Sequence, residues 1–453
     1  MKSKKMKIIK NVILLLIVMG LMTPIGCDNA SGTQTTEKEE QKNGGKGESL
    51  ADGEQKIAGE ITYAYWGAEK ELEIYEAIMD KFKEEYPDVI INNTYTSGAD
   101  YPTKLQTWFS SNTAPDVMGI ANDILSPYVD LNVYEDLKPY TERDGLDEGV
   151  WTDIALDVFT KNDELLAIPF QYKLYTIAYN KTMFDDKGVS YPTSDWTEED
   201  LLELVQIFTE GEGLDKIYGL QMNPYATLVR NLYGNSPMYD TEAMTMHAED
   251  NEKFKHAFTY FTDLVVDYKV APDAETMESI GGGFETGIFA MAFVAPWNIV
   301  PFQEMIGDKF EWDIVALPQN TEYGPWHSII FGDAVTMSVN SGNKETAWEF
   351  MKFISTDRWA QEQVAGMGIP MLKEYANSDE YLNDFGGEKP YNKLAFVEML
   401  ERTVGWETVG VWGKVNDELV SQMRAVMSGD EDVDSALASI QKRGTEVLEE
   451  EKK

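Results

Sequence analysis

The chain has 453 residues, of which 38 are Lys or Arg and 79 are Asp or Glu, and its formal net charge is −41. This acidic charge repels the phosphates of nucleic acids and anionic lipids, so nucleic-acid binding is excluded. With 43% apolar residues, the chain can bury a large core in two or three domain-sized units. One cysteine cannot form an intramolecular disulfide, and the scattered His247, His256 and His327 have no metal-ligand spacing, so no metal or cofactor is expected.

The first 26 residues have the pattern of a secretory signal peptide. They hold five lysines and no acidic residue, and an apolar run covers residues 12–22. That run is shorter than the roughly 20 residues that a transmembrane helix needs. We therefore expect the rest of the chain to work outside the cytoplasm.

The only cysteine, Cys27, follows this signal directly. Residues 23–27 read Thr-Pro-Ile-Gly-Cys, which resembles a bacterial lipoprotein cleavage box except that Pro24 stands where that box usually has Leu. The resemblance implies a lipid on Cys27 and a membrane anchor, and a buried free cysteine is the alternative. Residues 28–58 hold few apolar side chains and cannot offset the entropy cost of ordering, so residues 27–58 are predicted to form a flexible polar tether.

The pattern that follows the tether is typical of an α/β protein. Residues 61–65 alternate as a strand, and apolar residues at spacings of three and four predict a helix from Leu72 to Phe82 that ends before Pro87. Strands at 89–91 and 116–120 enclose a second helix at 101–109. A βαβαβ unit is therefore expected at the start of the body.

Further helices are predicted along the rest of the chain. A capping-box pattern at residues 197–200 begins a helix that ends at Gly211, and amphipathic helices follow at 254–268 and 345–354. The tail at 415–449 is predicted to be helical with a break at residues 428–429.

Common catalytic motifs are missing from the sequence. There is no phosphate-binding Gly-x-x-x-x-Gly-Lys loop, no Gly-x-Ser-x-Gly elbow and no His-Glu-x-x-His pair. Residues 281–283 are three glycines without the strand, helix and lysine of a phosphate loop, and are interpreted as a plain loop. Residues 430–434 imitate a calcium loop, but Ser435 and Gln441 occupy positions that need Gly and Glu, so an acidic helix start is expected.

Aromatic residues at the ends of predicted elements give the clearest functional signal. They stand in loop-like positions beside Asp, Asn, Gln or Gly, as in the run Pro296-Trp297-Asn298 that follows the apolar segment 289–294. A flat ring packs well against the CH face of a sugar, and neighbouring polar groups can bond to its hydroxyls. This pairing favours carbohydrate binding; the alternative is that these aromatics belong to the core or to an interface between lobes.

Several segments together resemble a known family. They are Tyr101-x-x-Lys104-Leu105 and residues 61–82, 114–117, 133–139, 166–169, 177–184, 290–297, 343–354 and 434–437. In order and spacing, residues 60–450 resemble the family 1 extracellular solute-binding proteins, the maltose-binding-protein-like sugar receptors of bacterial ABC importers.

The resemblance implies an α/β, two-lobe periplasmic-binding-protein-like fold with a multi-strand hinge and a central ligand cleft. It puts lobe one at residues 59–168 plus 333–366 and lobe two at 173–326 plus 373–450. The hinge crossings would then lie at 169–172, 327–332 and 367–372.

The same resemblance implies a set of ligand-binding residues. Trp297 and Trp412 match aromatic residues that stack on a sugar ring, whereas Glu69 is equally explained by the dipole of the helix that it begins. The full set is Trp66, Glu69, Asn122, Asp123, Gln171, Tyr172, Trp297, Gly332, Asp333, Trp406 and Trp412.

The implied function is that of a lipid-anchored, monomeric receptor that is not an enzyme. It would bind a carbohydrate, an oligosaccharide in view of the many Trp and Tyr, and deliver it to the transmembrane permease of an ABC transporter. Two alternatives stay open. The acidic charge also suits a charged solute such as a polyamine, and counting carboxylates cannot exclude the acid/base pair of a secreted glycosidase.

Overall fold

The computed structural model describes residues 56–67, 69–146, 149–151, 153–222, 229–230, 232–234, 238–240, 243–383, 392–404 and 412–451. The predicted signal peptide, Cys27, most of the predicted tether and Trp406 lie outside the described residues. Among the described residues, no helix has the length and hydropathy needed to cross a bilayer.

The strands are numbered β1 to β18 in chain order. They are Gly59–Trp66, Val89–Thr96, Val117–Ala121, Thr160–Lys161, Glu164–Leu165, Ile168–Lys173, Thr176–Asn180, Tyr218–Gln221, Tyr239–Asp240, Thr245–Met246, Phe289–Val294, Trp312–Val315, Gln319–Asn320, Gly324–Pro325, Ser328–Ile329, Phe331–Met337, Ile369–Pro370 and Thr403–Val404.

The α-helices of the described part are numbered α1 to α17. They are Glu69–Glu85, Tyr101–Ser111, Asn122–Leu125, Lys138–Asp144, Asp153–Asp157, Lys181–Lys187, Glu198–Phe208, Glu252–Val266, Ala274–Ile280, Pro296–Ile306, Lys344–Thr356, Arg358–Val364, Lys373–Ala376, Asp379–Asn383, Leu394–Leu400, Trp412–Ser428 and Val433–Glu451.

The first lobe is built on a six-stranded sheet in the order β17-β6-β16-β3-β1-β2. The neighbours β1 and β2, and β1 and β3, are parallel, which confirms the predicted βαβαβ unit. Strand β16 returns antiparallel between β3 and β6. Asp116, just before β3, accepts hydrogen bonds from the Thr62 backbone at 2.8 Å and from Ser341 Oγ at 2.7 Å, so one carboxylate ties β1 to the turn before α11.

The second lobe is built on a four-stranded sheet in the order β12-β7-β11-β8. Its strands β7 and β11 are buried along their whole length, as expected for strands that are covered on both faces. The predicted capping box begins α7: Thr197 Oγ1 accepts from the Asp200 backbone N–H, and the Asp200 carboxylate accepts from the Thr197 backbone N–H. The start of α7 agrees with the capping-box pattern of the sequence, and the buried strand β11 agrees with its apolar segment 289–294.

The chain passes between the two sheets more than once, which gives the two-lobe α/β architecture. Strand β6 belongs to the first sheet and β7 to the second, so the passage between them lies at residues 174–175. The predicted crossing at 169–172 falls inside β6, which pairs with β16. After β12 of the second sheet, the chain returns to β16 of the first sheet. After β17 of the first sheet it passes back to the second lobe, where Gln441 and Thr445 of α17 bond to Met246 of β10.

Candidate functional site

Trp297 lies where the second sheet meets the passage between the lobes. The buried strand β11 ends at Val294, and α10 begins two residues later with Pro296 in its first turn, where proline is well tolerated. The Asn298 side chain accepts a hydrogen bond from the Ala295 backbone N–H at 3.0 Å and secures this start. The partly buried Trp297 ring meets the Tyr175 ring edge to face, with 5.7 Å between the centroids. Backbone and packing thus hold the indole at the element end that the sequence predicts.

Two cavities have this indole in their walls. The larger, of about 680 Å³, lies within the second lobe and includes Tyr175, Gln221, Phe293 and the glycines at 281–283 in its wall. The smaller, of about 450 Å³, has Glu71, Ile74 and Met367 of the first lobe opposite Val300 of the second. Trp297, Pro301 and Met305 belong to both walls. Trp297 is therefore part of the wall of a cavity in the second lobe and of a cavity between the lobes.

A buried polar cluster lies beside this cleft, at the end of β6. Lys173 Nζ is 2.7 Å from Asp333 Oδ2 and 3.6 Å from Glu71 Oε1, and Gln171 Nε2 donates to Asp333 Oδ2 at 2.7 Å. Burial disfavours the charged form of Lys173, but the carboxylates of Asp333 and Glu71 outweigh it and raise its pKa. The cluster joins β6 and β16, the two strands of the first sheet that lead into the passages between the lobes.

Asn122 and Gly332 support the returning strand. Asn122 is 2% exposed, donates to the Ile330 carbonyl at 3.2 Å and accepts from the Gly332 backbone N–H at 3.3 Å. A Cβ at Gly332 would lie 3.0 Å from the Phe159 ring, so the bare backbone allows this close packing. Asn122 begins α3, because β3 continues directly into a helical turn.

The other predicted site residues lie apart from the two cavities or have no described side chain. Trp66 packs on the Tyr101 ring at 4.9 Å, and its indole lies over Gly119. Gln171 and Tyr172 lie inside the buried strand β6, within the predicted crossing at 169–172. The structure describes the backbone but not the side chains of Glu69, Asp123 and Trp412.

Sequence reasoning missed several residues of the cleft. The glycines at 281–283, interpreted as a plain loop, line the larger cavity, where the Gln221 amide oxygen accepts from the Phe284 N–H at 2.7 Å and holds the loop. The run of three glycines could have indicated this position from the sequence. Tyr175 and Lys173 gave no such signal, because their roles depend on partners that are distant in sequence.

Comparisons with known proteins agree with this two-lobe fold. A family model for bacterial extracellular solute-binding proteins matches residues 77–386. The chain belongs to this family. Its members work outside the cytoplasm, as the sequence predicts, and the fold is that of the maltose-binding-protein-like receptors.

Individual relatives of this solute-binding protein are distant in sequence. The maltotriose-binding protein of Pyrococcus abyssi is 23% identical over 324 residues, which cover 69% of this chain and 67% of that protein. An ABC substrate-binding protein of Listeria monocytogenes, solved with cycloalternan, has a TM-score of 0.73 at 24% identity, covering 86% of this chain and 99% of the other. The sugar-binding protein MalE of Xanthomonas citri has a TM-score of 0.74 at 20% identity, covering 87% and 98%.

Proposed function

We propose that this protein is a receptor that binds a carbohydrate between its two lobes and delivers it to the permease of an ABC transporter. The observation that carries the proposal is the Trp297 indole, which lines both cavities. A sugar ring that stacks on this indole would have its hydroxyls within reach of polar groups in both cavities. No bond is made or broken in this function.

The polar groups around the indole suit sugar hydroxyls. Gln221, Glu278, Glu285 and Asn298 line the larger cavity, and Glu71, Glu73 and Glu304 line the smaller one. A hydrogen bond between a hydroxyl and a carboxylate contributes about 1.5 to 3 kcal/mol. The named partners of the relatives, maltotriose and cycloalternan, make α-linked glucose oligomers the first ligands to test.

The remaining parts of the proposal concern the location of the receptor. Lipid on Cys27 would anchor a monomer to the membrane, and the polar tether at 27–58 would let the lobes move above it. Closure of the lobes around the sugar would then present the loaded form to the permease.

A charged solute such as a polyamine is the second candidate, because one observation favours it. Five glutamates line the two cavities, and no Lys, Arg or His does so among the described residues. Carboxylates accept hydrogen bonds from ammonium groups as well as from hydroxyls. The same cleft would then recognise positive charge instead of sugar stereochemistry.

A thermal-shift panel on residues 27–453, with Cys27 replaced by Ser, separates these candidates. The panel contains malto-, cello-, xylo- and manno-oligosaccharides, with spermidine and amino acids as controls. A ligand at 100 times its dissociation constant stabilises the folded protein by about 2.7 kcal/mol, which raises the melting temperature measurably. A response to one saccharide series supports the proposal. A response to spermidine alone would show that the ligand is a polyamine and not a carbohydrate.

A further inference from the structure

Two amide side chains, those of Gln221 and Asn298, line the 680 Å³ cavity. Gln221 ends β8, and Asn298 lies in the first turn of α10. The oxygen of an amide only accepts hydrogen bonds and its nitrogen only donates them, so the orientation of each amide decides what a ligand meets. The partners of the two oxygens therefore determine the chemistry of this part of the wall.

Backbone N–H groups fix the orientation of both amides. The Phe284 backbone nitrogen is 2.7 Å from Gln221 Oε1, and the Ala295 backbone nitrogen is 3.0 Å from Asn298 Oδ1. A backbone N–H cannot accept a hydrogen bond, so the amide atom that faces it must be the oxygen. Each amide is left with its NH2 group for other partners.

The two NH2 groups donate to no protein acceptor among the described residues. Gln221 Nε2 lies over the bare backbone of Gly283, which also lines the cavity, and a Cβ at Gly283 would lie 2.8 Å from this nitrogen. Glycine at this position therefore makes room for the amide in the wall. Both NH2 groups can donate to a molecule in the cavity.

Carboxylates supply the opposite polarity in the same wall. Glu278 and Glu285 line the cavity, and Glu285 Oε1 accepts from the Gly283 N–H at 2.7 Å. An ionised carboxylate only accepts hydrogen bonds, whereas a hydroxyl both donates and accepts. A hydroxyl can therefore bond to the amides and to the carboxylates, but an ammonium group has no lone pair for the amide NH2 groups.

We propose that Gln221 and Asn298 are specificity-determining residues, which donate hydrogen bonds from their NH2 groups to oxygen atoms of the ligand. This inference rests on the proposed carbohydrate function and adds to it two donors of fixed orientation. A solute that brings only N–H donors leaves both NH2 groups without a partner, and buried polar groups without partners lower its affinity. The two amides thus select against a polyamine, although the carboxylates of the same wall attract it.

Exchanging each NH2 group for an oxygen tests this inference. In Gln221→Glu and Asn298→Asp, the new carboxylate can still accept from the Phe284 or the Ala295 N–H, so the loop and the helix start keep these hydrogen bonds. Only the donor is lost. In the first turn of α10, an acidic residue is also favoured by the helix dipole.

The matched control is Asn251→Asp. Asn251 is the half-buried N-cap of α8, where its side chain accepts from the Phe254 N–H at 3.1 Å, and it lines neither cavity of the cleft. The control makes the same chemical change at another helix start of the second lobe. Calorimetric titration with maltotriose, cellotriose, xylotriose, mannotriose and spermidine measures the affinity of each protein, and thermal unfolding measures its stability without ligand.

Gln221→Glu and Asn298→Asp should each weaken binding of the saccharide that the unmodified protein binds by about tenfold or more, which corresponds to about 1.4 kcal/mol. A neutral saccharide has no net charge for the new carboxylate to repel, so this loss reports the missing donor. The melting temperature without ligand should change little, and Asn251→Asp should change neither quantity.

An unchanged saccharide affinity in either variant overturns the inference for that amide and leaves the carbohydrate function standing. The same holds for a loss that Asn251→Asp reproduces, or one that comes with an equally large loss of stability. If the unmodified protein binds none of the four saccharides, the proposed function falls together with the inference, whether or not spermidine binds.

Discussion

Lys173 and Trp297 face each other at the junction of the two lobes, with 5.8 Å between Lys173 Nζ and the indole ring centroid. Lys173 ends β6 of the first sheet, and Trp297 follows β11 of the second. The ammonium is held by Asp333 and Glu71 on the side of the first lobe. The Trp297 indole of the second lobe is therefore linked through Lys173 to the polar cluster of the first lobe.

Replacing Trp297 with alanine should remove most of the ligand affinity. Truncation of an aromatic anchor costs about 2 kcal/mol or more, and the ring is only partly buried, so the melting temperature of the ligand-free protein should change little. Calorimetric titration and thermal unfolding measure the two quantities. Trp359→Ala is the matched control, because Trp359 is also partly buried but lines neither cavity of the cleft. A large loss of stability in Trp297→Ala with unchanged affinity would make this indole a packing residue.

Replacing Lys173 with methionine should destabilise the protein strongly. Asp333 is 4% exposed, and removing its cationic partner leaves a buried carboxylate uncompensated, which typically costs 3 to 5 kcal/mol. Urea unfolding measures the free energy. Lys83→Met removes an exposed ion pair with Asp80 and should change stability by less than about 0.5 kcal/mol. Equal effects of the two substitutions would contradict the role of the cluster.

Asp116 should make the stability of the first lobe depend on pH. Burial alone would raise the pKa of this carboxyl, but hydrogen bonds from Ser341 and Thr62 outweigh it and lower the pKa. The unfolded chain then binds the proton more readily, so the stabilisation is complete above about pH 4 and is lost as the pH falls through the folded pKa. Asp116→Asn should cost about 1.5 to 3 kcal/mol at pH 7 and progressively less toward pH 2. A constant difference from the unmodified protein across this range, in urea titrations, would refute the assignment.

Gly219 should tolerate no side chain. A Cβ there would lie 2.0 Å from the carbonyl oxygen of Val205 in α7, and a backbone atom of a packed helix cannot move aside. Gly219→Ala should therefore lower the free energy of unfolding by about 1 to 3 kcal/mol. Gly342→Ala is the control, since nothing lies within 4 Å of its added Cβ. Comparable stability of the two variants would show that α7 and β8 are packed less closely than described.

The sequence predicts the local elements of the fold well, because each depends on neighbours along the chain. Apolar spacing predicts α1 and α2 within a few residues, and the break at residues 428–429 coincides with Gly429 at a φ of 81° after α16. Trp297 could be selected because it comes three residues after an apolar strand and precedes a polar residue. Each of these signals lies in the same short stretch of chain as the feature that it predicts.

The cleft could be predicted only in part, because its polar residues depend on distant partners. Gln171 and Lys173 are polar residues inside a buried strand, which no local pattern explains until Asp333 is placed beside them, about 160 residues later in the chain. The glycines at 281–283 become the wall of a cavity only through the packing of their loop beside α10. Such contacts between segments are set by tertiary structure, not by periodicity.

Hydrogen–deuterium exchange with and without the saccharide that raises the melting temperature tests the central claim most directly. A sugar between the lobes should slow exchange on both sides of the cleft, at the start of α10 around Trp297 and in the first lobe at residues 71–74 and 366–367. Protection of both sides, lost together in Trp297→Ala, is the predicted result. Protection confined to one lobe, or at a surface away from Trp297, would contradict binding between the lobes.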